Sequence, residues 1–291
     1  MKNLDTLVQD IYDKISILAD GKQLDVSNET IDKFGDSMKE ALRGWLTPRE
    51  NQKPTLRMSN IGKPERQLWF DMNSEQTAQN HSASTMIKFL YGHLLEELVL
   101  FLVELTEHEV TSQQKEVKVK GILGHMDCKI DGEVVDIKSA SRFAFQKFVK
   151  GTLADSDPFG YLAQLSGYEI KEQTDQGGFL VINKESGELC FFKPEELDKP
   201  NINAKIDSTK KAVKRKTPPK KLCYKPAADG TYGNQKIAQA CNYCSHKFAC
   251  HKDSNNGKGL RVFQYARGLS YYTEVKKEPN VLEVTERYAK T

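Results

Sequence analysis

The chain has 291 residues, a formal net charge of +3 and 29% charged residues, with a mean hydropathy of −0.60. This composition is typical of a folded, soluble protein and excludes intrinsic disorder. No apolar run is long enough to cross a bilayer, and the N-terminus lacks the basic and apolar stretches of a secretory signal. We therefore expect a cytoplasmic protein that does not bind membranes.

Helical periodicity dominates the first hundred residues. Apolar residues recur at a spacing of three to four, and Asn28 is a plausible N-cap for the second helix. The third predicted helix is apolar on most faces, so we expect it to be largely buried. The three predicted helices are residues 3–19, 28–46 and 84–107.

Strand signals follow, with Asp131-Gly132 between two strand-like runs as a strong two-residue hairpin signal. Later segments alternate between helix and strand, including a strand pair around 184–187 and a helix from about 195. The remainder carries cysteines and is expected to end in a short helical tail. The other predicted elements are strands at 115–121, 122–130 and 133–139, and helices at 142–150 and 158–173.

The hairpin fixes the register of its two strands. Counting outward from the turn places Asp127 opposite Asp136, and His125 opposite Lys138. Because side chains alternate along a strand, these four residues share one face. The other face is then an apolar core face, made of Met126, Cys128, Ile130, Val135 and Ile137.

Two directly opposed carboxylates repel each other, and a shared divalent cation would relieve that repulsion. Mg²⁺ prefers oxygen ligands and is commonly held by one or two carboxylates together with substrate phosphate. Lys138 points the same way as Asp127 and Asp136, where it could hold a water or stabilise charge on a phosphate. The alternative is a solvated polar face in which Lys129 and Lys138 neutralise the aspartates, and the pattern alone does not choose.

The segments GHMD, ending at Asp127, and VVDIK, ending at Lys138, resemble the PD-(D/E)xK nuclease superfamily. They are most similar to its RecB-type exonuclease branch, which includes phage exonucleases and CRISPR-associated adaptation nucleases. The resemblance covers about residues 55–255. It implies an α/β restriction-endonuclease-like core with a central mixed sheet flanked by helices. The implied activity is Mg²⁺- or Mn²⁺-dependent hydrolysis of DNA, as an exonuclease that favours single strands.

The same resemblance assigns further site residues. The branch places a metal-linked Glu or His four residues after a glycine, which is Glu96 after Gly92, and the neighbouring His93 and Glu97 could substitute. A Gln-x-x-x-Tyr motif near the active site matches this chain one helical turn apart. The implied metal ligands are Asp127, Asp136, Glu96, His93 and the carbonyl of Ile137. The implied catalytic set is Asp127, Asp136, Lys138, Glu96, Gln164 and Tyr168.

Four of the six cysteines fall between positions 223 and 250, which in a reducing compartment favours a metal site over disulfides. Their C-x2-C-x5-C part resembles the iron–sulfur members of the branch. Those enzymes place one more cysteine upstream, where this chain has Pro64, so Cys223 is the expected replacement. A structural 4Fe-4S cluster is expected, with Zn²⁺, completed if needed by His246 or His251, as the alternative. The candidate ligands are Cys223, Cys241, Cys244 and Cys250.

DNA is the implied partner, as single strands or duplex ends, together with recombination or replication proteins and, if the gene is phage-borne, in the host cytoplasm. Residues 210–225 are basic without an acid and are either a solvated linker or a phosphate contact. The candidate DNA-binding residues are Arg66, Lys214, Arg215 and Lys216. We divide the chain into a helical extension (1–54), a nuclease core (55–208) and a linker with a cysteine segment (209–291). Competing hypotheses are a non-catalytic DNA-binding module and a zinc or iron–sulfur interaction protein.

Overall fold

The structure is a computed structural model that describes residues 2–47, 54–74, 83–230 and 232–288. The chain forms two compact units: unit 1 is Met1–Lys63 with Asn80–Ser208, and unit 2 is Pro64–Gln79 with Thr209–Thr291. One division between the units follows Ser208, residues 64–79 group with the C-terminal part, and the N-terminal helices group with residues 80–208. The three-part division of the chain stays a prediction.

The fold is mixed α/β. In chain order the described helices are α1 (Leu7–Ala19), α2 (Asn28–Leu46), α3 (Glu65–Asn73), α4 (Ala83–Glu104), α5 (Arg142–Val149), α6 (Tyr161–Glu172), α7 (Ile202–Val213), α8 (Lys247–Cys250), α9 (Ser254–Gly257) and α10 (Thr285–Tyr288). The strands are β1 (Val110–Thr111), β2 (Lys115–Val119), β3 (Ile122–Met126), β4 (Cys128–Ile130), β5 (Glu133–Ala140), β6 (Gly178–Asn183), β7 (Leu189–Phe192), β8 (Ala227–Asp229), β9 (Asn234–Lys236), β10 (Arg261–Tyr265) and β11 (Gly268–Glu274).

A five-stranded mixed sheet lies at the centre of unit 1, in the order β1-β4-β5-β6-β7. Strands β5 and β6 are parallel and are joined through α5 and α6, whereas the other neighbours are antiparallel. Every residue of β6 is buried, as expected for a strand that is covered on both faces. The strand that carries Asp136 and Lys138 is therefore held centrally, between β4 and β6.

Helices flank this sheet and bury two separate apolar clusters. One cluster joins α1 and α4 to the sheet, through residues such as Leu7, Ile11 and Val99. The other joins α5, α6, α7 and the β2–β3 pair to the sheet, through residues such as Phe148 and Leu165. The N-terminal helix α1 is thus part of the core packing of unit 1 and not a separate extension.

Helix α4 differs from the prediction of a largely buried helix. Only Val99, Leu100 and Val103 in its C-terminal half are buried, while Met86 and Phe89 near its start are exposed. The N-cap of α2 is also one residue earlier than predicted, because Ser27 has the extended cap geometry and its side chain accepts a hydrogen bond from a helix amide. The apolar composition of α4 therefore predicted a helix correctly, but it did not predict that the first half of this helix is largely exposed.

The predicted strand 122–130 is broken at Asp127. Strand β3 pairs with β2 in a separate two-stranded sheet, and β4 pairs with β1 and β5. His125 consequently lies opposite Glu116 and not opposite Lys138. Met126 and Cys128, which are predicted from the sequence to share one core face, are buried in two different apolar clusters. The hairpin register itself is as predicted over residues 128–130, with both turn residues at positive φ.

Unit 2 contains a sheet that the sequence analysis does not predict. Its four strands run in the order β10-β11-β9-β8, all antiparallel, and a small core forms around Ile237, Cys241 and Leu260. Within the described residues, the predicted helical tail corresponds to the short α10. Nowhere in the described ranges is there a helix with both the length and the apolarity to span a membrane.

Candidate active site

The two aspartates of the predicted site meet where the hairpin ladder ends. Asp127 occupies the gap between β3 and β4, and its Oδ2 accepts a hydrogen bond of 2.8 Å from the amide of Ile137. This contact lies just beyond the last strand pair, Cys128 with Val135. Asp136 lies in the middle of β5, with its side chain only 1% exposed. The strand break therefore turns Asp127 toward β5 at the level of Asp136.

Lys138 joins both carboxylates. Its Nζ forms an ion pair with Asp136 and lies 3.9 Å from Oδ2 of Asp127. Burial alone would lower the pKa of this amine, but Asp136 and Asp127 raise it above the ordinary lysine value. The Nζ also lies 5.2 Å from the ring centre of Tyr161. Lys138 is therefore held as an ammonium group beside the two carboxylates.

Glu96 on α4 completes an acidic group. Burial, and then the charge of Asp127, raise the pKa of Glu96 to about 8. Burial is also the largest cause that raises the pKa of Asp136 to about 7, against the opposing effect of Lys138. Gln114 donates a hydrogen bond of 2.6 Å to Oε1 of Glu96. Three carboxyl groups therefore share one ammonium, and the site carries excess negative charge once they ionise.

The residues present fit a divalent cation. Oδ1 of Asp136 is buried and accepts no hydrogen bond from the described residues, an arrangement that costs free energy unless another ligand satisfies it. In the described part of the chain, no three His, Cys, Asp or Glu side chains are grouped closely enough to hold a metal ion by themselves. Mg²⁺ commonly uses one or two carboxylates and takes its other oxygens from water and phosphate, and Asp127 with Asp136 match that requirement.

The two candidate substitutes for Glu96 lie in different places. His93 is exposed on α4 and lines the same cleft as Glu96. Glu97 instead lines a separate small cavity with Lys33 and Phe34, because consecutive residues on a helix point about 100° apart. Of the two, only His93 is placed where it could supplement Glu96.

Gln164 and Tyr168 lie one turn apart on α6, and both side chains are buried. The hydroxyl of Tyr168 donates a hydrogen bond of 2.7 Å to the carbonyl of His125 and accepts one of 3.3 Å from Gln164. This network holds the end of β3, two residues before Asp127. The geometry gives the pair a positioning role for the strand that carries the carboxylate.

An open cleft of about 760 Å³ leads to the site within unit 1. Glu96, Ile137, Lys138 and Tyr161 line it together with an apolar wall, and Lys88, His93, Thr47 and Ser139 add polar and charged groups to the lining. The apolar wall, which is not predicted from the sequence, consists of Trp45, Leu46, Met86 and Phe89. The available sequence signal was the pair of large apolar residues, Trp45 and Leu46, at the end of the helix predicted over residues 28–46. The carbonyl of Ile137 as a metal ligand stays a prediction.

The four clustered cysteines line one small cavity in unit 2, together with His246 and His251. Cys223, the expected replacement for the missing upstream cysteine, is hydrogen-bonded to Cys250, and this bond together with Arg66 lowers the pKa of Cys250 to about 6. His246 is engaged through Nε2 with Asp71 at 2.7 Å. The thiols would have to move inward to hold a metal, because no described group is closely enough spaced as it stands.

Arg66 lies beside these cysteines. Its guanidinium donates to Sγ of Cys250 at 3.1 Å, to the carbonyl of Cys250 at 2.9 Å and to the carbonyl of Pro219 at 2.5 Å. These contacts tie α3 to the cysteine segment, so the arginine holds unit 2 together. The predicted basic DNA contacts, Lys214, Arg215 and Lys216, are exposed just after α7. DNA binding by all four residues stays a prediction.

Comparisons with known proteins add little to this geometry. No protein-family profile matches the chain, and no curated protein matches it. Among solved structures, the chain is similar to one titled "Crystal structure of SSO0001", with 16% identity and a TM-score of 0.40 over 73% of this chain and 93% of that chain. This similarity is too low to carry a functional argument, which must come from the site itself.

Proposed function

We propose that this chain is a Mg²⁺- or Mn²⁺-dependent DNA nuclease with a PD-(D/E)xK core of the RecB type. One observation carries the proposal: a buried Asp136 with an unsatisfied oxygen lies beside Asp127, and Lys138 pairs with Asp136 and approaches Asp127. A salt bridge with a purely structural role needs only one carboxylate for each ammonium group. Here Glu96 adds a third carboxyl group whose pKa is raised, which is typical of functional sites.

Asp127 and Asp136 would hold the cation, with Glu96 and the carbonyl of Ile137 as further ligands. A bound divalent metal supplies a more acidic water and a Lewis acid for the phosphate oxygens. The ammonium of Lys138 would orient the attacking water and stabilise the negative charge that develops on the scissile phosphate. Tyr168 and Gln164 hold the β3 end in place, so that Asp127 keeps its geometry. The oxygen of water would bond to phosphorus as one P–O ester bond breaks, which yields a phosphate monoester and a free hydroxyl group, with one proton of the water passing to the leaving oxygen and the other to solvent.

The lining of the cleft supports a single-stranded DNA substrate, and the cysteine cavity supports a second metal site. The cleft is lined by aromatic and apolar side chains, which suit unpaired bases. The cysteine cavity of unit 2 has the four thiols required for a 4Fe-4S cluster or a tetrahedral Zn²⁺ site. That metal would stabilise the fold of unit 2, because its ligands are distinct from the carboxylates of the cleft.

The test is cleavage of end-labelled single-stranded and double-stranded DNA by the purified protein, with Mg²⁺, with Mn²⁺ and with EDTA. We expect metal-dependent cleavage by the wild type. Asp127→Asn, Asp136→Asn and Lys138→Ala should each lose at least about 100-fold in rate, since each removes a charged group from the reacting centre. The exposed Asp25 provides the matched control, and Asp25→Asn should cleave like the wild type.

Circular dichroism and thermal unfolding of each variant separate lost chemistry from lost folding. If Asp136→Asn cleaves at the wild-type rate, the assignment is wrong. DNA binding without any metal-dependent cleavage by the wild type would instead indicate a non-catalytic DNA-binding module. A folded protein that neither binds nor cleaves DNA would favour an interaction protein built around the cysteine site.

A further inference from the structure

Helix α2 is held in place without contributing a buried residue to any core. Phe34 in its first half stacks on Phe101 of α4, with ring centres 4.6 Å apart. Near its end, the indole nitrogen of Trp45 donates a hydrogen bond of 2.9 Å to the carbonyl of Met86 at the start of α4. The helix is therefore aligned along α4 at two points, and its apolar C-terminal turn is left facing the cleft.

The apolar surface that results is continuous with the catalytic centre. We call it the α2–α4 wall, and it consists of Trp45, Leu46, Met86 and Phe89. Met86, Phe89, His93 and Glu96 follow one another at helical spacing along α4 and all line the cleft. Ten residues of helix span about 15 Å. The wall thus runs from the carboxylate site outward over the length of several nucleotides.

Gly92 leaves the backbone of α4 open on this wall. It sits inside α4, where glycine weakens a helix relative to alanine, and it lines the cleft. A Cβ added at this position would meet no atom within 4 Å. Packing in the protein therefore does not require a glycine there. The missing side chain leaves room against the helix backbone, on the surface between Phe89 and Glu96.

We propose that the α2–α4 wall is a subsite for unpaired nucleobases, which stack on Trp45 and Phe89 and pass over Gly92 as the strand approaches the carboxylates. This inference rests on the proposed nuclease function and specifies its substrate. An unpaired base exposes an aromatic face that apolar side chains can cover, whereas a paired base is stacked inside its duplex. The subsite therefore selects single strands, and helix α2 supplies half of it.

Equilibrium binding in EDTA tests the subsite without cleavage. The probe is a fluorescein-labelled single-stranded oligothymidylate, measured by anisotropy beside a duplex of the same length. Stacking on one aromatic side chain changes affinity by about tenfold. We expect Trp45→Ala to weaken single-strand binding by about that factor and Trp45→Phe to keep most of it. Duplex binding should change less than twofold. Oligonucleotides with consecutive abasic sites should bind wild type and Trp45→Ala equally.

Gly92→Ala separates the subsite from a structural role. It should raise the thermal midpoint by about 2 °C, as alanine favours the helix, and yet weaken single-strand binding at least fivefold. Gly35→Ala is the matched control, because Gly35 is also inside a helix with no atom within 4 Å of an added Cβ and does not line the cleft. That variant should gain stability and bind normally.

Wild-type affinity in both Trp45→Ala and Gly92→Ala would overturn the subsite, as would equal weakening of single-strand and duplex binding. These outcomes are independent of catalysis, because the measurement contains no divalent metal. If the wild-type protein cleaves DNA and neither variant loses affinity, the proposed nuclease function is supported and the proposed subsite is wrong. Loss of cleavage in Asp136→Asn tests the nuclease alone.

Discussion

Asp136 and Glu96 are the two carboxyl groups of the candidate site whose pKa values are raised. Burial is the largest cause that raises the pKa of both carboxyl groups, to about 7 for Asp136 and about 8 for Glu96. Their pKa values in the unfolded chain are close to 4. The folded, metal-free protein therefore binds more protons than the unfolded chain between these limits. Stability must then fall as the pH rises through this window, since the folded state holds the extra protons.

We predict that the thermal midpoint of the metal-free protein falls by several degrees as the pH rises from 5 to 8.5, because the free energy of unfolding decreases over this window. Glu96→Gln and Asp136→Asn should flatten this dependence, whereas Asp25→Asn should retain it. Mg²⁺ should raise the midpoint more at pH 8.5 than at pH 6, because it competes with protons for the same oxygens. Calorimetry at a series of pH values measures all of these effects, and a flat wild-type profile would contradict them.

At the scale of elements, the start of α6 depends on a close approach between two backbones. Gly160 precedes the helix with a left-handed φ of 79°, and a Cβ added to it would lie 2.3 Å from Cα of Gly62. Asp157 caps this start by accepting hydrogen bonds from the amides of Gly160 and Leu162. The position of Gln164 and Tyr168 thus depends on a turn that only glycine fits.

We predict that Gly160→Ala lowers the free energy of unfolding by about 3 kcal/mol, because it combines left-handed strain with a backbone clash. Gly187 between β6 and β7 is the control, since it has a similar φ of 78° but no atom within 4 Å of an added Cβ. Gly187→Ala should lose only about 1 kcal/mol. Urea unfolding gives both values. Equal losses would mean that the contact with Gly62 does not matter.

At the scale of the whole molecule, unit 2 is small and its core is limited. Three buried residues, Ile237, Cys241 and Leu260, form one of its apolar clusters, and four cysteines line the adjacent cavity. A metal bound by thiolates contributes its binding energy directly to folding. Unit 2 is therefore expected to depend on that metal more than unit 1 does.

We predict that elemental analysis finds iron or zinc in the purified protein and that Cys223→Ser or Cys250→Ser lowers that content at least several-fold. Absorption near 400 nm identifies a cluster, and its absence together with zinc identifies a single ion. Cys190 on β7 is half-buried in unit 1, so Cys190→Ser should keep the full metal content. Normal metal content in Cys223→Ser would show that this residue does not replace the upstream cysteine.

The sequence by itself determined what local rules can specify. The Asp131-Gly132 turn fixed the hairpin register over residues 128–130, and apolar periodicity placed α1, α2, α5 and α6. These features depend on residues that are close in sequence, where turn chemistry and side-chain alternation act. The PD-(D/E)xK assignment and the nuclease activity are expectations that follow from resemblance and still await the cleavage test.

Only the tertiary structure decided how distant segments combine. The break at Asp127 arises because β3 pairs with β2 while β4 pairs with β5, a choice between partners that no single strand encodes. The half-exposed state of α4, the aromatic wall shared with α2 and the sheet of unit 2 also depend on long-range packing. The hydrophobic pattern of a segment indicates that its apolar face will be buried, but it does not identify the surface that will cover that face. The reason is that the hydrophobic effect is non-directional and roughly proportional to the buried area.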